Sequence, residues 1–514
     1  MKVLYVSFIE VPHKPLLNGV SLDFPINEVE SDEGHPTIFV GTNGSGKSQV
    51  LETLAEIFLY LDRLYRRENR VIVNNSPALF EIHYSIVLKS KSFFVNVKQL
   101  KLKGKAPEII ITDEEGNELE IDLDKISEYL PNKIIGYTSG DNETLSLPFT
   151  DYYDEYAKYT RERALGENEE NKKDYDPRFY LMDYNTNIGV TISNLILGQP
   201  TDVKSILDYV GIQSLSSFQI IIQTKHTAAP GNDGVELTKE LKKWINQLKK
   251  AATCFQYFPL ENRYVLDFYM HGATKSALKH FFGTSINFYT ALYKIELLNT
   301  LIIKEKHLND IKKQRQQRKL IIKPPTVAEQ DKVLSYSEIK LKLKSGEIVD
   351  YLSLSDGEHQ FLNIFGTIMM TNFDNSLYLL DEPETHFNPR WRREFISLLY
   401  QLIDGRKQDF FITSHSPFIV ADSKRDKVYV FRRDKKGLNV EWPIKETYGS
   451  DFDYILKTAF DLDTSLSKES YDQLQNLIKT GSLTEIEKKI NEFGDSAEKL
   501  FLFKRMEELK KQKI

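Results

Sequence analysis

The chain has 514 residues, long enough for two or three domains and a sizeable core, and is 41% hydrophobic and 28% charged, the balance of an ordinary globular protein. A formal net charge of −6 excludes a strongly basic field over the whole molecule, so contact with nucleic acid would have to use local patches. The single cysteine, Cys254, excludes a disulfide framework and a Cys-rich metal site and fits a reducing cytoplasm, where the chain is expected.

Met1 to Ile9 is apolar for only a few residues before Glu10 and Pro12, too short for a signal-peptide core and suited to a first strand. No apolar run approaches the ~20 residues of a membrane span, so no membrane passage is expected. Residues 1–148 read as an α/β lobe with an antiparallel flank. Val3–Ile9 and Thr37–Val40 are predicted strands. Between Val50 and Leu61, apolar residues recur at three- and four-residue steps and predict a helix. Phe80–Leu88 and Phe93–Leu102 follow as strands. Ile109–Thr112 and Leu119–Ile121 flank the turn Asp113–Asn117 as a hairpin, and Lys133–Tyr137 is one more strand.

Residues 149–335 change character and read as a mainly helical insertion, with helices predicted over Leu237–Ala252 and Ala291–Lys319. The second carries Leu292, Ile295, Leu298 and Ile302 on one face and ends in a basic run from Lys304 through Lys312, Lys313 and Arg315 to Arg318 and Lys319. Residues 336–445 return to α/β: a hairpin around Lys344–Glu347, a helix, the strand Leu377–Leu380, another helix and the strand Phe410–Thr413. Residues 446–514 form a charged helical tail.

Four motifs carry chemistry. The first, Gly41-Thr-Asn43-Gly44-Ser45-Gly46-Lys47-Ser48, fits G-x-x-x-x-G-K-S/T between a strand and an amphipathic helix, with Gly41, Asn43, Gly44, Ser45, Gly46, Lys47, Ser48 and the following Gln49 as candidates to bind nucleotide. Glycines let such a loop wrap so that backbone N–H groups face phosphate oxygens, and the helix N-terminus adds partial positive charge. Lys47 would reach the β- and γ-phosphates and Ser48 would ligate Mg. The second, Leu377-Tyr-Leu-Leu-Asp381-Glu382-Pro-Glu384, is a buried strand that delivers carboxylates to its C-terminal edge. Asp381 would hold Mg, directly or through water, and Glu382 would polarise an attacking water as general base.

The third motif is Leu354-Ser355-Asp-Gly357-Glu358 at the head of a helix, about two dozen residues before the Asp-Glu strand. Ser355 and Glu358 also make a capping box, though capping alone gives Gly357 no reason to be there. The fourth, Phe410-Phe-Ile-Thr-Ser-His415-Ser-Pro417, places a histidine just beyond a strand end.

In this order the four motifs resemble those of ABC-type P-loop ATPases. That resemblance implies an α/β fold, an ATPase head with a mixed-sheet core and an antiparallel β flank, here with a helical insertion and a helical tail. It implies ATP and Mg as ligands, with Lys47, Glu382 and His415 catalytic. It implies that Ser355, Gly357 and Glu358 form a signature serving the γ-phosphate held by an opposite subunit. A homodimer with two ATP molecules sandwiched head to tail follows, because one chain with one of each motif cannot complete a site. The glutamine that senses γ-phosphate in this family has no clear counterpart, and either Asn142 or Glu143 stands nearest to that role.

Asp381-Glu-Pro-Glu-Thr-His386-Phe-Asn-Pro389 is similar to the soluble RecF-, SMC- and OLD-like branch, in particular to prokaryotic defence ATPases such as the Septu-type subunit and restriction-system-associated ATPases. Two roles follow from that likeness. One is a regulator of an anti-phage system that controls a separate effector nuclease, since no nuclease motif is recognised in this chain. The other is a RecF-like repair ATPase, for which the basic run to Lys323 would be a DNA track rather than a solvated helical face. A third reading is an ATP-gated scaffold with little hydrolysis, against which Glu382 argues.

Overall fold

The computed structural model describes residues 1–25, 35–66, 75–139, 145–166, 175–225, 234–303, 305–316, 327–371, 373–403, 405–435, 437–462 and 464–511. They form two compact units, Met1–Gly449 and Ser450–Ile514. The first begins with β1 (Lys2–Glu10), β2 (Val20–Asp23), β3 (Thr37–Gly41), α1 (Lys47–Tyr65), β4 (Leu79–Leu88), β5 (Lys91–Gln99), β6 (Glu108–Thr112) and β7 (Lys133–Thr138). Then come α2 (Ser146–Leu165), β8 (Phe179–Met182), α3 (Tyr184–Leu197), α4 (Pro200–Val210), β9 (Ile212–Gln223), α5 (Lys239–Ala251), β10 (Cys254–Phe258), β11 (Arg263–Tyr269), α6 (Gly272–Phe282), α7 (Ser285–Glu296) and α8 (Glu305–Gln316). It closes with β12 (Leu334–Leu343), β13 (Ile348–Asp350), α9 (Asp356–Met370), β14 (Ser376–Asp381), α10 (Pro389–Ile403), β15 (Gln408–Thr413), α11 (Pro417–Ala421), β16 (Val428–Asp434) and β17 (Gly437–Glu441).

The central sheet has seven strands in the order β17-β16-β3-β15-β14-β7-β8, parallel throughout except for β17. Every residue of β3 and β15 is buried, as is β14 up to Leu380. Parallel strands covered on both faces need continuous apolar runs, which is why Leu377–Leu380 and Phe410–Ile412 read as they do. In register, Asp381 lies beside Thr413, and Thr413 beside Phe39, so the loop after β3 and the ends of β14 and β15 share one edge.

A second sheet, β2-β1-β4-β5-β6, is the antiparallel flank. The expected strand at Leu119–Ile121 does not form. The chain makes one bridge, Thr112 to Glu118, because Asp113 Oδ1 accepts the amides of Glu115 at 3.0 Å and Asn117 at 2.9 Å and tightens the turn locally. A third sheet, β10-β11-β9-β12-β13, was not anticipated; it pairs strands from the stretch expected to be mainly helical with the hairpin that follows it.

The long helix expected over Ala291–Lys319 is interrupted. α7 stops at Glu296, a 3-10 turn covers Leu297–Ile302, and α8 begins afresh. The predicted face is still buried: Leu292, Ile295, Leu298 and Ile302 all lie in the core. The break has a cause in Asn299, whose amide side chain accepts from Leu334 N at 3.1 Å and donates to Leu334 O at 3.3 Å, tying the turn to β12. Lys304, Arg318, Lys319 and Lys323 of the basic run lie outside the described residues.

The second unit consists of α12 (Phe452–Phe460), α13 (Lys468–Thr480), α14 (Leu483–Lys489) and α15 (Ala497–Lys511). Leu474, Leu477, Ile486, Ile490 and Leu502 form its core. No helix among the described residues is long and apolar enough to cross a membrane.

Candidate functional site

The loop between β3 and α1 turns on glycines. Gly41 sits at φ +141°, and a Cβ there would lie 2.3 Å from the carbonyl oxygen of Phe431 in β16, so no other residue fits. Gly44 and Gly46 adopt φ +77° and +99°. α1 starts at Lys47 with no side-chain cap, the arrangement that leaves first-turn N–H groups for an anion. Lys47 curls back over the loop, its Nζ donating to Gly41 O at 2.9 Å and Thr42 O at 3.3 Å. Burial pushes its ammonium below the usual lysine range, while Glu382, Asp381 and Glu384 pull it back up.

Two carboxylates meet this loop from β14. Asp381 Oδ1 accepts from Ser48 Oγ at 2.8 Å and from the Thr413 hydroxyl of β15. Burial raises its carboxyl above the ordinary range, and the two hydroxyls pull it back. Glu382 occupies the left-handed region at φ +50°, a strained conformation for a residue with a side chain. Its N–H is held by Thr413, Oγ1 at 3.0 Å and O at 3.2 Å.

His415 closes the cluster. Its Nε2 lies 3.1 Å from Glu382 Oε1 and 3.2 Å from Lys47 Nζ. It donates to the first when protonated at Nε2 and accepts from the second when not, so one ring nitrogen links base and cation. The hydrogen bond from His415 holds Glu382 below the usual glutamate range despite partial burial. Glu382 is therefore ionised at neutral pH and ready to accept a hydrogen bond from water.

The structure thus brings Lys47, Ser48, Asp381, Glu382 and His415 into one constellation. Asn43 is exposed on the loop. Ser45 Oγ and Gln49 Oε1 are buried without a hydrogen-bond partner among the described residues. Thr413, which touches both Asp381 and Glu382, was missed by sequence reasoning; the only signal was its place at the end of a buried strand. Asn142 and Glu143 lie outside the described residues.

Ser355, Gly357 and Glu358 are placed elsewhere. Ser355 caps α9, and Glu358 Oε2 accepts from both Ser355 N and Ser355 Oγ at 2.8 Å, completing the capping box. Gly357 has a packing reason that the sequence did not disclose: a Cβ would sit 2.7 Å from His386 O. These residues line an open cleft of about 470 Å³ with Asp356, His386, Asn388 and Trp391, and no residue of the phosphate loop is among its walls.

Residues 26–420 of the chain match the AAA ATPase domain (AAA_15). The chain belongs to that family. Protein ea59 of Escherichia phage lambda is 29% identical to this ATPase-domain chain over 94 residues, which is 18% of the chain and only 18% of the phage protein's length. Among solved structures, the SMC head domain from Thermotoga maritima is similar at 9% identity and a TM-score of 0.31, covering 86% of this chain and 99% of that one. An Smc head domain with an extended coiled coil, bound to the C-terminal domain of ScpA and derived from Pyrococcus furiosus, gives 12% identity and a TM-score of 0.30, covering 93% and 100%. The assignment rests on the family match.

The residues of this ATPase domain fit ATP with Mg. A glycine loop, an uncapped helix start and a buried lysine suit a polyphosphate. The orphaned buried oxygens of Ser45 and Gln49 sit in the same loop and helix start. The oxygen pair Ser48 and Asp381 suits a hard cation that keeps most of its ligands as water and phosphate.

Proposed function

We propose that this ATPase domain hydrolyses ATP to ADP and phosphate with Mg, in a head-to-tail sandwich of two copies. The single observation that carries hydrolysis is the triangle of Lys47, Glu382 and His415 at the end of a strand whose other carboxylate, Asp381, already holds Ser48. Ser48 and Asp381 would hold Mg, which when bound neutralises charge on the β- and γ-phosphate oxygens. Lys47 exchanges its loop carbonyls for phosphate oxygens. Glu382 accepts a hydrogen bond from the attacking water and orients it in line with the γ-phosphate. His415, released from Lys47, stays beside the γ-phosphate and keeps Glu382 aimed through its single Nε2–H.

The sandwich is supported by the separate cleft that holds Ser355, Gly357 and Glu358, since a second copy could present it to the phosphate loop of the first. In this reading residues 1–148 and 336–445 are the two lobes of the head, residues 149–335 an insertion, and residues 446–514 a tail that passes ATP-driven closure to a partner. The test is ATP turnover by the parent, Lys47→Ala and Glu382→Gln with mass measured in parallel. Turnover lost in both variants, with Glu382→Gln held as an ATP-bound dimer, supports the mechanism. Turnover that survives Glu382→Gln overturns it.

We further propose that the chain acts in the cytoplasm as the regulatory ATPase of an anti-phage defence system and controls a separate effector nuclease. What supports this is the likeness of the Asp381–Pro389 stretch to defence ATPases. Affinity capture from infected cells should recover a nuclease partner; capture that recovers none, with undiminished phage growth in cells carrying the chain, counts against the role.

A further inference from the structure

Glu384 is 4% exposed on the turn that follows β14, and none of the steps above uses it. Burying a carboxylate is costly unless its oxygens are well used, and simple packing at this position would be better served by an apolar side chain. Where its hydrogen bonds go is therefore informative. Glu384 Oε1 accepts from the Ser414 hydroxyl and from the His415 backbone N–H, the latter at 3.3 Å. Ser414 Oγ in turn accepts from Ser416 N at 2.9 Å, and Ser414 N donates to Phe39 O of β3 at 3.0 Å. One carboxylate oxygen thus braces three successive residues, 414–416, against the turn that carries Glu382. The second oxygen, Oε2, is buried with no partner among the described residues.

This brace lies directly under His415. From the backbone it holds, the imidazole reaches Glu382 Oε1 at 3.1 Å and Lys47 Nζ at 3.2 Å. A ring on a free turn beyond a strand end would sample several rotamers. Here the peptide that carries it is fixed to β3 on one side and to Glu384 on the other.

We propose that Glu384 is a positioning residue for His415, acting as a buried hydrogen-bond acceptor that fixes the turn after β15 and so places the imidazole between Glu382 and Lys47. The proposal rests on the reading of this site as one that hydrolyses ATP. It assigns Glu384 and Ser414 one shared role, so their losses should not add.

The test compares the parent with Glu384→Gln, which keeps an acceptor of the same shape, Glu384→Met, which keeps the shape and loses the acceptor, Ser414→Ala, and the Met–Ala double variant. Turnover, affinity for a fluorescent ATP analogue, melting temperature and the imidazole 15N signals of histidine-labelled protein are measured, with His415 assigned from its loss in His415→Ala. Misplacing a reacting group by about 1 Å costs on the order of 10²-fold in rate, so Glu384→Met should lower kcat by about 10- to 100-fold with analogue affinity changed by less than about 3-fold. Glu384→Gln should restore most of the rate, the double variant should be no slower than Glu384→Met, and the His415 ring signal should move in Glu384→Met and stay in Glu384→Gln. Parental kcat in Glu384→Met overturns the proposal, as does a Gln variant as slow as Met. If Glu384→Met does not fold, parental kcat in Ser414→Ala overturns it. If the parent itself turns over no ATP, the hydrolysis reading fails, while the 15N signals still decide whether Glu384 places the ring.

Discussion

Ser48 and Asp381 are 333 positions apart in the chain and share a hydrogen bond of 2.8 Å. The contact joins the first turn of α1 to the end of β14, and its two oxygens are the ones a hard cation would draw on. Replacing Asp381 by Asn should lower kcat by about 10²-fold or more, several kcal/mol of charge stabilisation, while leaving nucleotide binding without Mg largely intact. Turnover and equilibrium binding with and without Mg check this.

Asp381 and Glu384 also carry a prediction for pH. Burial raises both carboxyls above their ordinary range. The folded protein then binds more protons than the unfolded chain in the interval above about pH 4, the ordinary carboxylate pKa. Their contribution to stability is present below that value and is lost as pH rises through the raised folded pKa values. In the nucleotide-free protein, Asp381→Asn should therefore raise the melting temperature at pH 7 relative to the parent, and the difference should shrink toward pH 4. Calorimetric melts across that range would show it, and a variant less stable than the parent at pH 7 would refute it.

Glu382→Gln should keep ATP affinity and lower kcat by about 10²- to 10⁴-fold, the usual contribution of a positioned base. Lys47→Ala should instead lose affinity, because its ammonium faces the loop where phosphates would sit. A KM and kcat comparison separates the two.

Two glycines should fail for different reasons. Gly41→Ala places a Cβ 2.3 Å from Phe431 O at φ +141°, a double conflict in the central sheet that should prevent accumulation of folded protein. Gly357→Ala meets His386 O at 2.7 Å and should cost about 1–3 kcal/mol, the range for an overpacked site, with the ATP-dependent dimer weakened. Urea melts and mass measurements with ATP would report both.

Asp62, at the end of α1, accepts from Arg66 Nε at 2.9 Å and pairs with Arg178 Nε at 3.0 Å, and both it and Arg66 are buried. Asp62→Ala removes the anion that Arg66 and Arg178 share, leaving Arg66 the longer pairing with Glu155 at 4.0 Å, and should cost about 3 kcal/mol in a denaturant melt.

Much of the site was legible in the sequence because its chemistry needs particular residues at short spacing. The loop from Gly41 to Ser48, the pair Asp381 and Glu382, and His415 are each local patterns, and each predicted strand or helix beside them formed. Less legible were residues whose role depends on a neighbour far along the chain. Thr413 and Ser414 look like ordinary small residues, yet they tie the end of β15 to the Asp381 carboxylate, to the Glu382 backbone N–H and to Glu384. Asn299 breaks a helix that periodicity drew straight through it, because β12 offers a better partner for its amide. The third sheet was hidden for the same reason: β9 pairs with β12 on one side and with β11 on the other, and pairing across so many residues leaves no local mark.

The sequence by itself determined that this chain carries a phosphate loop, a strand-end carboxylate pair and a capped glycine motif, because backbone conformation and strand burial constrain which residues stand next to one another. Only the tertiary structure decided which of them meet. Parallel pairing of β3, β15 and β14 sets Gly41, Thr413 and Asp381 along one edge, and the same packing leaves Ser355 and Gly357 lining a different cleft. That choice is made by burial of three apolar strands in one sheet, a many-residue effect that no single motif encodes.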